Sequence, residues 1–235
     1  MIAIFKRELR SYFSTSIGYI FVGIFLALSG ALFSYSTLQQ REASDTAFYF
    51  TLMLFAFVII LPLLTMKLFS EERKLKTEQL LLTAPISLWS MVVAKFLAAY
   101  TIFAVTFLTS CLNFFILYSY GNPPTAIILG NIISILLVGS AFIAIGVFVS
   151  ALTENQLIAA FGTMAILFVL LLLGVVGSYV NFTPLRIVIN WLSIFTRFYS
   201  FTYGEFSFSA IVYYASIAFV FLFLTVRMFE KRRWE

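Results

Sequence analysis

Histidine is absent from the sequence and cysteine occurs once, at Cys111 inside an apolar run, which excludes a disulfide framework and any Cys/His metal centre. Aspartate is almost missing too: Asp45 stands alone, so few carboxylates are available for acid–base chemistry. Charge of either sign is scarce. Only 11% of the 235 residues are charged, where a soluble domain carries about twice that fraction. There is no G-x-x-x-x-G-K-[ST] phosphate loop, and no loop is long enough to house a nucleotide-hydrolysing domain. The long apolar runs carry no ionisable group at mid-run, which counts against a proton- or ion-coupled secondary transporter. They also lack the clustered Asp, Glu, His or Ser motifs that an intramembrane enzyme would need.

What is present is apolar and aromatic. Hydrophobic residues make up 62% of the chain, the mean hydropathy is +1.04, and 29 Phe and 12 Tyr suit a lipid-facing surface with interfacial rings. The fold class expected is an all-α membrane protein with six transmembrane helices in a single domain, 1–235. Residues 1–15 have helical periodicity. Ile2, Phe5, Leu9, Tyr12 and Phe13 fall on one side, and Lys6, Arg7, Arg10 and Ser14 on the other. That pattern reads as an amphipathic helix in the membrane surface, its basic side towards lipid phosphates. A signal-peptide start is the alternative, but the charge-free run from Ser11 to Gln40 exceeds a typical apolar core of about 7–15 residues.

The spans expected are about 17–38, 48–68, 89–118, 125–151, 157–180 and 208–227, each long enough for a hydrocarbon core that needs about 20 apolar residues. The 58 charge-free residues from Phe96 to Thr153 must hold two spans, broken at Tyr120-Gly121-Asn122-Pro123-Pro124. Residues 181–206 are aromatic and semi-polar and carry Arg186, Arg197 and Glu205, which suggests short helices dipping into the outer leaflet. An interfacial aromatic belt is the plainer reading of the same residues. Gly139, Ser140, Ala144, Gly146 and Ser150 recur along the fourth span and predict close helix packing, within one chain more often than between subunits.

Six spans put both termini, the 67–95 loop and the 152–156 loop on one side. That side then holds twelve of the fifteen basic residues; Arg41, Arg186 and Arg197 lie on the other. The positive-inside rule makes it the cytoplasmic side of a cell inner or cytoplasmic membrane. The net charge of +5 needs no nucleic acid to explain it.

The long charged stretch between apolar walls is Lys67–Lys95. Ser70 ahead of Glu71-Glu72-Arg73 reads as a helix start. Glu72 with Lys76, and Lys74 with Glu78, are spaced as i,i+4 pairs. Leu68, Leu75 and Leu82 repeat at heptad spacing with Leu81 beside them, until Pro85 stops the helix. A short amphipathic helix over 69–86 follows, shaped for a partner's groove or simply lying in solvent or lipid.

Three blocks carry a resemblance: Leu64-Thr65-Met66-Lys67 with Glu71-Glu72-Arg73, Thr77-Glu78-Gln79-Leu80-Leu81-Leu82-Thr83-Ala84-Pro85 and Lys95; Gly146 through Ala159; and the opening Phe5-Lys6-Arg7-Glu8-Leu9. Together they resemble ABC-2 type transporter permeases, most of all the gliding-motility-type branch. Where that family often has Gly-Thr, this chain has Lys76-Thr77, and where it often has Gly-Lys this chain has Ala94-Lys95. The resemblance implies a permease subunit, an exporter working as a dimer with an identical or paralogous permease. It implies power from a cytoplasmic nucleotide-binding ATPase subunit that holds the ATP and Mg, with no cofactor expected in this chain. It implies ATPase coupling through Glu71, Glu72, Arg73, Thr77, Glu78, Leu81, Pro85, Lys95, Glu154 and Asn155, with Lys6, Arg7 and Arg10 on the surface helix. Membrane lipid and an accessory extracytoplasmic protein complete the expected partners. Transmission of ATPase-driven motion to a periplasmic or surface assembly machine, without cargo, is the alternative.

Overall fold

A computed structural model describes residues 1–38, 46–79, 87–120, 124–179, 182–202 and 207–234. The sequence expectations at Leu81, Pro85, Glu205 and the 121–123 turn lie outside these residues. The described residues form helices: α1 (Ile2–Ser14), α2 (Ser16–Phe33) closing in a π turn (Ser34–Leu38), α3 (Ala47–Thr65), α4 (Ser70–Lys74), α5 (Leu88–Ser110), α6 (Asn113–Tyr120), α7 (Thr125–Leu152), α8 (Gln156–Tyr179), α9 (Thr183–Leu192), α10 (Ile194–Thr202) and α11 (Phe208–Trp234). Six of these helical stretches are long and apolar enough to cross a membrane, as expected.

Helix α7 is the central post and the most enclosed of the six. Lipid tails are as apolar as leucine, so burial drives helix association weakly and close packing of small residues has to do it. Gly139 lies under the Phe103 ring and Gly146 under Thr65, each so close that a Cβ would overlap its neighbour. The small residues of the fourth span therefore serve packing within the chain. The same Phe103 packs ring to ring with Phe25 and Phe57 at 5.3–6.3 Å, and all three are wholly buried.

Beyond α8, residues 182–202 form two short helices at the end opposite the termini. Ser193 separates them, its Oγ accepting from the Thr196 amide at 3.2 Å to cap α10. Gly174 and Gly177 of α8 admit Ser193, Phe195 and Asn190. The Tyr214 hydroxyl donates to the Ile194 carbonyl at 2.9 Å and Thr202 donates to Asn131 at 3.3 Å, so this connection is held by α7, α8 and α11.

Helix α1 departs from its expected two-sided pattern. Ile4, Glu8 and Tyr12 turn into the protein, while Ile2 and Phe13 stay exposed. Its residues sort into three stripes: protein-facing, lipid-facing and a polar one with Lys6 and Arg10. Tyr12 leaves the lipid stripe because its hydroxyl donates to the Leu64 carbonyl at 2.7 Å. A tight corner follows, where a side chain at position 18 would strike the Tyr12 carbonyl, so Gly18 is required.

Candidate functional site

Helix α3 does not run straight into the charged stretch. Its hydrogen-bond ladder lapses over residues 66–69, and the chain bends there before α4 begins. An elbow inside packed apolar helices strands backbone groups that must find partners. Three other helices supply them. Tyr12 of α1 donates to Leu64 O; Lys95 of α5 donates to Leu68 O at 2.7 Å. Ser150 of α7 donates to Met66 O at 3.0 Å, while its Oγ accepts from the Phe69 and Ser70 amides at 3.1 and 3.2 Å. Ser70 is the first residue of α4, and its hydroxyl also donates to Met66 O. It closes the elbow and does not cap the helix, which corrects the expected N-cap.

Around the elbow lies a buried ionic cluster. Lys95 Nζ sits 2.9 Å from Glu72 Oε1 and 3.1 Å from Glu8 Oε1, with its side chain 1% exposed. Arg7 reaches both carboxylates at 2.8 Å from the solvent side. Lys67 donates to the Thr15 hydroxyl at 2.8 Å and lies over the Tyr12 ring. A cavity of about 210 Å³ opens here; Arg7, Lys67 and Lys95 balance Glu8, Glu71 and Glu72 around it. Burial would push the Glu8 carboxyl up, but the Lys95 ammonium and the hydrogen bonds from Arg7 and Lys95 outweigh it and hold the carboxyl below its ordinary range. Glu72 keeps Oε2 buried without a hydrogen-bond partner among the described residues.

These contacts revise the expected pairings. Glu72 turns inward to Lys95 and Arg7 and does not pair with Lys76, and Glu78 pairs with Arg232 at 3.0 Å instead of Lys74. The expected helix over 69–86 is also interrupted. α4 ends in a Schellman motif: the Thr77 amide donates to Glu72 O at 2.9 Å and the Lys76 amide to Arg73 O at 3.1 Å. Lys76 accordingly takes φ 57°, a left-handed conformation that favours glycine. The Lys76-Thr77 departure from Gly-Thr falls on this residue. Lys74, Leu75, Lys76 and Thr77 form an exposed turn, with Leu75 63% exposed.

Two arginines tie this segment to the end of α7, whose last carbonyls lack partners within the helix. Arg73 donates to Leu152 O at 2.8 Å and pairs with Glu154 at 3.0 Å; Arg232 donates to Ala151 O at 2.9 Å. Both cations also suit the negative end of the α7 dipole. The Asn155 side chain accepts from the Leu157 amide at 2.9 Å, so it begins α8. Phe69 and Phe229 pack at 4.8 Å, joining the elbow to α11.

Of the expected coupling residues, Glu72, Arg73, Glu78, Lys95 and Glu154 thus belong to one connected network. Glu71 lines the cavity, Thr77 closes the turn and Asn155 caps a helix. Lys6 and Arg10 are exposed on α1 and stand outside the network. From the sequence, Tyr12 is expected on the apolar side of α1, Ser150 only in helix packing and Arg232 only as one of the basic residues at this end, and Glu8 is given no contact of its own. The i,i+4,i+8 spacing of Ile4, Glu8 and Tyr12 was the available signal for Glu8 and Tyr12: a carboxylate on a stripe with buried apolar residues needs a buried cation.

No curated protein matches the chain. The family described as ABC-2 family transporter protein matches residues 11–234. Members of that family are the membrane components of transporters and generally work with a separate ATP-hydrolysing subunit. A six-span bundle with its polar network gathered where both termini end agrees with that match, and the chain belongs to the ABC-2 family of transporter membrane proteins.

Proposed function

We propose that this chain is the permease subunit of an ATP-driven exporter and that the exposed turn at Lys74–Thr77 receives the motion of a cytoplasmic ATPase. The observation that carries this reading is the bracing of the elbow. A displacement of this segment pulls on α1 through Arg7–Glu72, on α5 through Lys95, on the tip between α7 and α8 through Arg73–Glu154 and on α11 through Glu78–Arg232. One push at the turn therefore reaches three other helices and that tip through ion pairs. The basic residues at this end support a cytoplasmic orientation. A dimer of permeases would place the transport route between two copies, and Mg-ATP would be bound by the partner.

A cysteine placed at Lys76 in the full chain, in membranes of the native organism, tests this. Cross-linking from position 76 is expected to capture an ATP-binding subunit, with a yield that changes when a non-hydrolysable ATP analogue is added. Capture of no such subunit from this position would overturn the reading.

A further inference from the structure

The lipid-facing stripe of α1 roofs a second cavity, of about 290 Å³, that the coupling network does not use. Leu9 and Phe13 form its roof, Val22 and Leu26 of α2 one wall, and Ile102 and Val105 of α5 the other. Three threonines also face it, but each hydroxyl is spent on its own helix: Thr101 on Leu97 O, Thr106 on Ile102 O and Thr109 on Val105 O, at 2.7, 2.7 and 2.8 Å. The lining therefore offers no free donor to a polar ligand. From Thr101 to Thr109 it follows α5 for about 12 Å.

Lys6 and Arg10 each stand three residues before a roof residue, Leu9 and Phe13, on the neighbouring stripe of α1. They are exposed, one helical turn apart, and the side chain of neither has a hydrogen bond or ion pair among the described residues. Two like charges at i,i+4 repel, and an anion placed between them relieves the repulsion. An apolar slot leading away from an unpaired cation pair has the chemistry of one class of ligand.

We infer that this groove is a binding site for an anionic phospholipid of the leaflet at the basic end. One acyl chain lies between α2 and α5, and the phosphate-bearing headgroup lies on Lys6 and Arg10. The lipid would thereby wedge α1 against the bundle beside the coupling network. Partnership with membrane lipid in general is expected of any such protein; a discrete, charge-selective site is not.

The experiment uses the full chain in detergent with mixed micelles of phosphatidylglycerol and phosphatidylcholine. Lipid retained per chain is measured by native mass spectrometry. Phosphatidylglycerol is expected to be retained preferentially. Lys6→Gln with Arg10→Gln should reduce that preference by about fivefold for each cation removed, leaving phosphatidylcholine retention unchanged. Val105→Trp, which fills the slot, should abolish retention of the bound lipid, while Val169→Trp on the exposed face of α8 should not. As an arm that needs no variant, phosphatidylglycerol with a diazirine in its tail should label peptides containing Val22, Leu26 or Val105. Equal retention of both lipids by the native chain, or labelling confined to other helices, would overturn the site. A second copy of the chain seated there would do the same, seen as protection of Val105 from the photolipid on dimerisation.

Discussion

Lys95 and Glu72 meet at 2.9 Å, with the lysine side chain almost wholly enclosed, although 23 residues separate them, Glu72 following one membrane span, α3, and Lys95 lying near the start of the next, α5. Taking a lysine out of water costs several kcal/mol, which the carboxylates of Glu72 and Glu8 and the Leu68 carbonyl together offset. The arrangement makes the position of α4 conditional on α5 and α1.

Lys95→Met removes the buried cation and leaves Glu8 and Glu72 with only the half-exposed Arg7 between them. Removing one partner of a buried pair costs about 3–5 kcal/mol, so a clear drop in thermal unfolding temperature in detergent is expected. The triple variant Lys95→Met, Glu72→Gln, Glu8→Gln removes the unpaired charge and should recover much of the loss. If the single variant were as stable as the native chain, the cluster would not hold the elbow.

Lys76→Gly should stabilise the turn by about 1 kcal/mol, because a β-carbon is disfavoured at φ 57°. Lys76→Ala removes the charge and keeps the β-carbon, so it should not give that gain. Comparing the two unfolding temperatures separates backbone strain from electrostatics; equal shifts would reject the Schellman assignment.

At Gly146 the obstacle is volume. A side chain there meets Thr65 at the base of α3, so Gly146→Val forces α3 and α7 apart at the root of the elbow. Overpacking costs typically about 1–3 kcal/mol. Gly23, where a Cβ meets nothing, is the matched control: Gly23→Val should leave folding yield and unfolding temperature close to native.

Acid should loosen α1. The Glu8 carboxyl is held below its ordinary value near 4.5, so its stabilising effect is complete at neutral pH and persists down to about that value. It is lost as the pH falls further, through the lowered folded-state value. Hydrogen exchange at α1 amides should accelerate below pH 4.5 relative to α7, after correction for intrinsic rates, and Glu8→Gln should remove that part of the pH dependence. Acceleration equal in both proteins would show that Glu8 contributes nothing to holding α1.

The patterning of charge and hydropathy sufficed for the spans, because a bilayer forces every backbone group to be satisfied within a long apolar helix and pushes charges to its ends. Six spans, the Lys67–Lys95 stretch and its cations at one end are therefore readable from residue order. Pairing within that stretch was not. Spacing on an ideal helix matched Glu72 with Lys76 and Lys74 with Glu78, but the Schellman turn at Lys76 ends the helix before either pair can form. Glu72 and Glu78 then find Lys95 and Arg232, cations supplied by α5 and α11.

Residue order is enough to name the protein's solvent: a chain with so few charges and such long apolar runs must live in a membrane, basic end together. The elbow at 66–69, braced by three other helices, emerges only once the chain is folded. Its stranded carbonyls belong to residues with apolar or ordinary side chains, and the groups that satisfy them, from Tyr12, Lys95 and Ser150, lie 27 to 84 residues away.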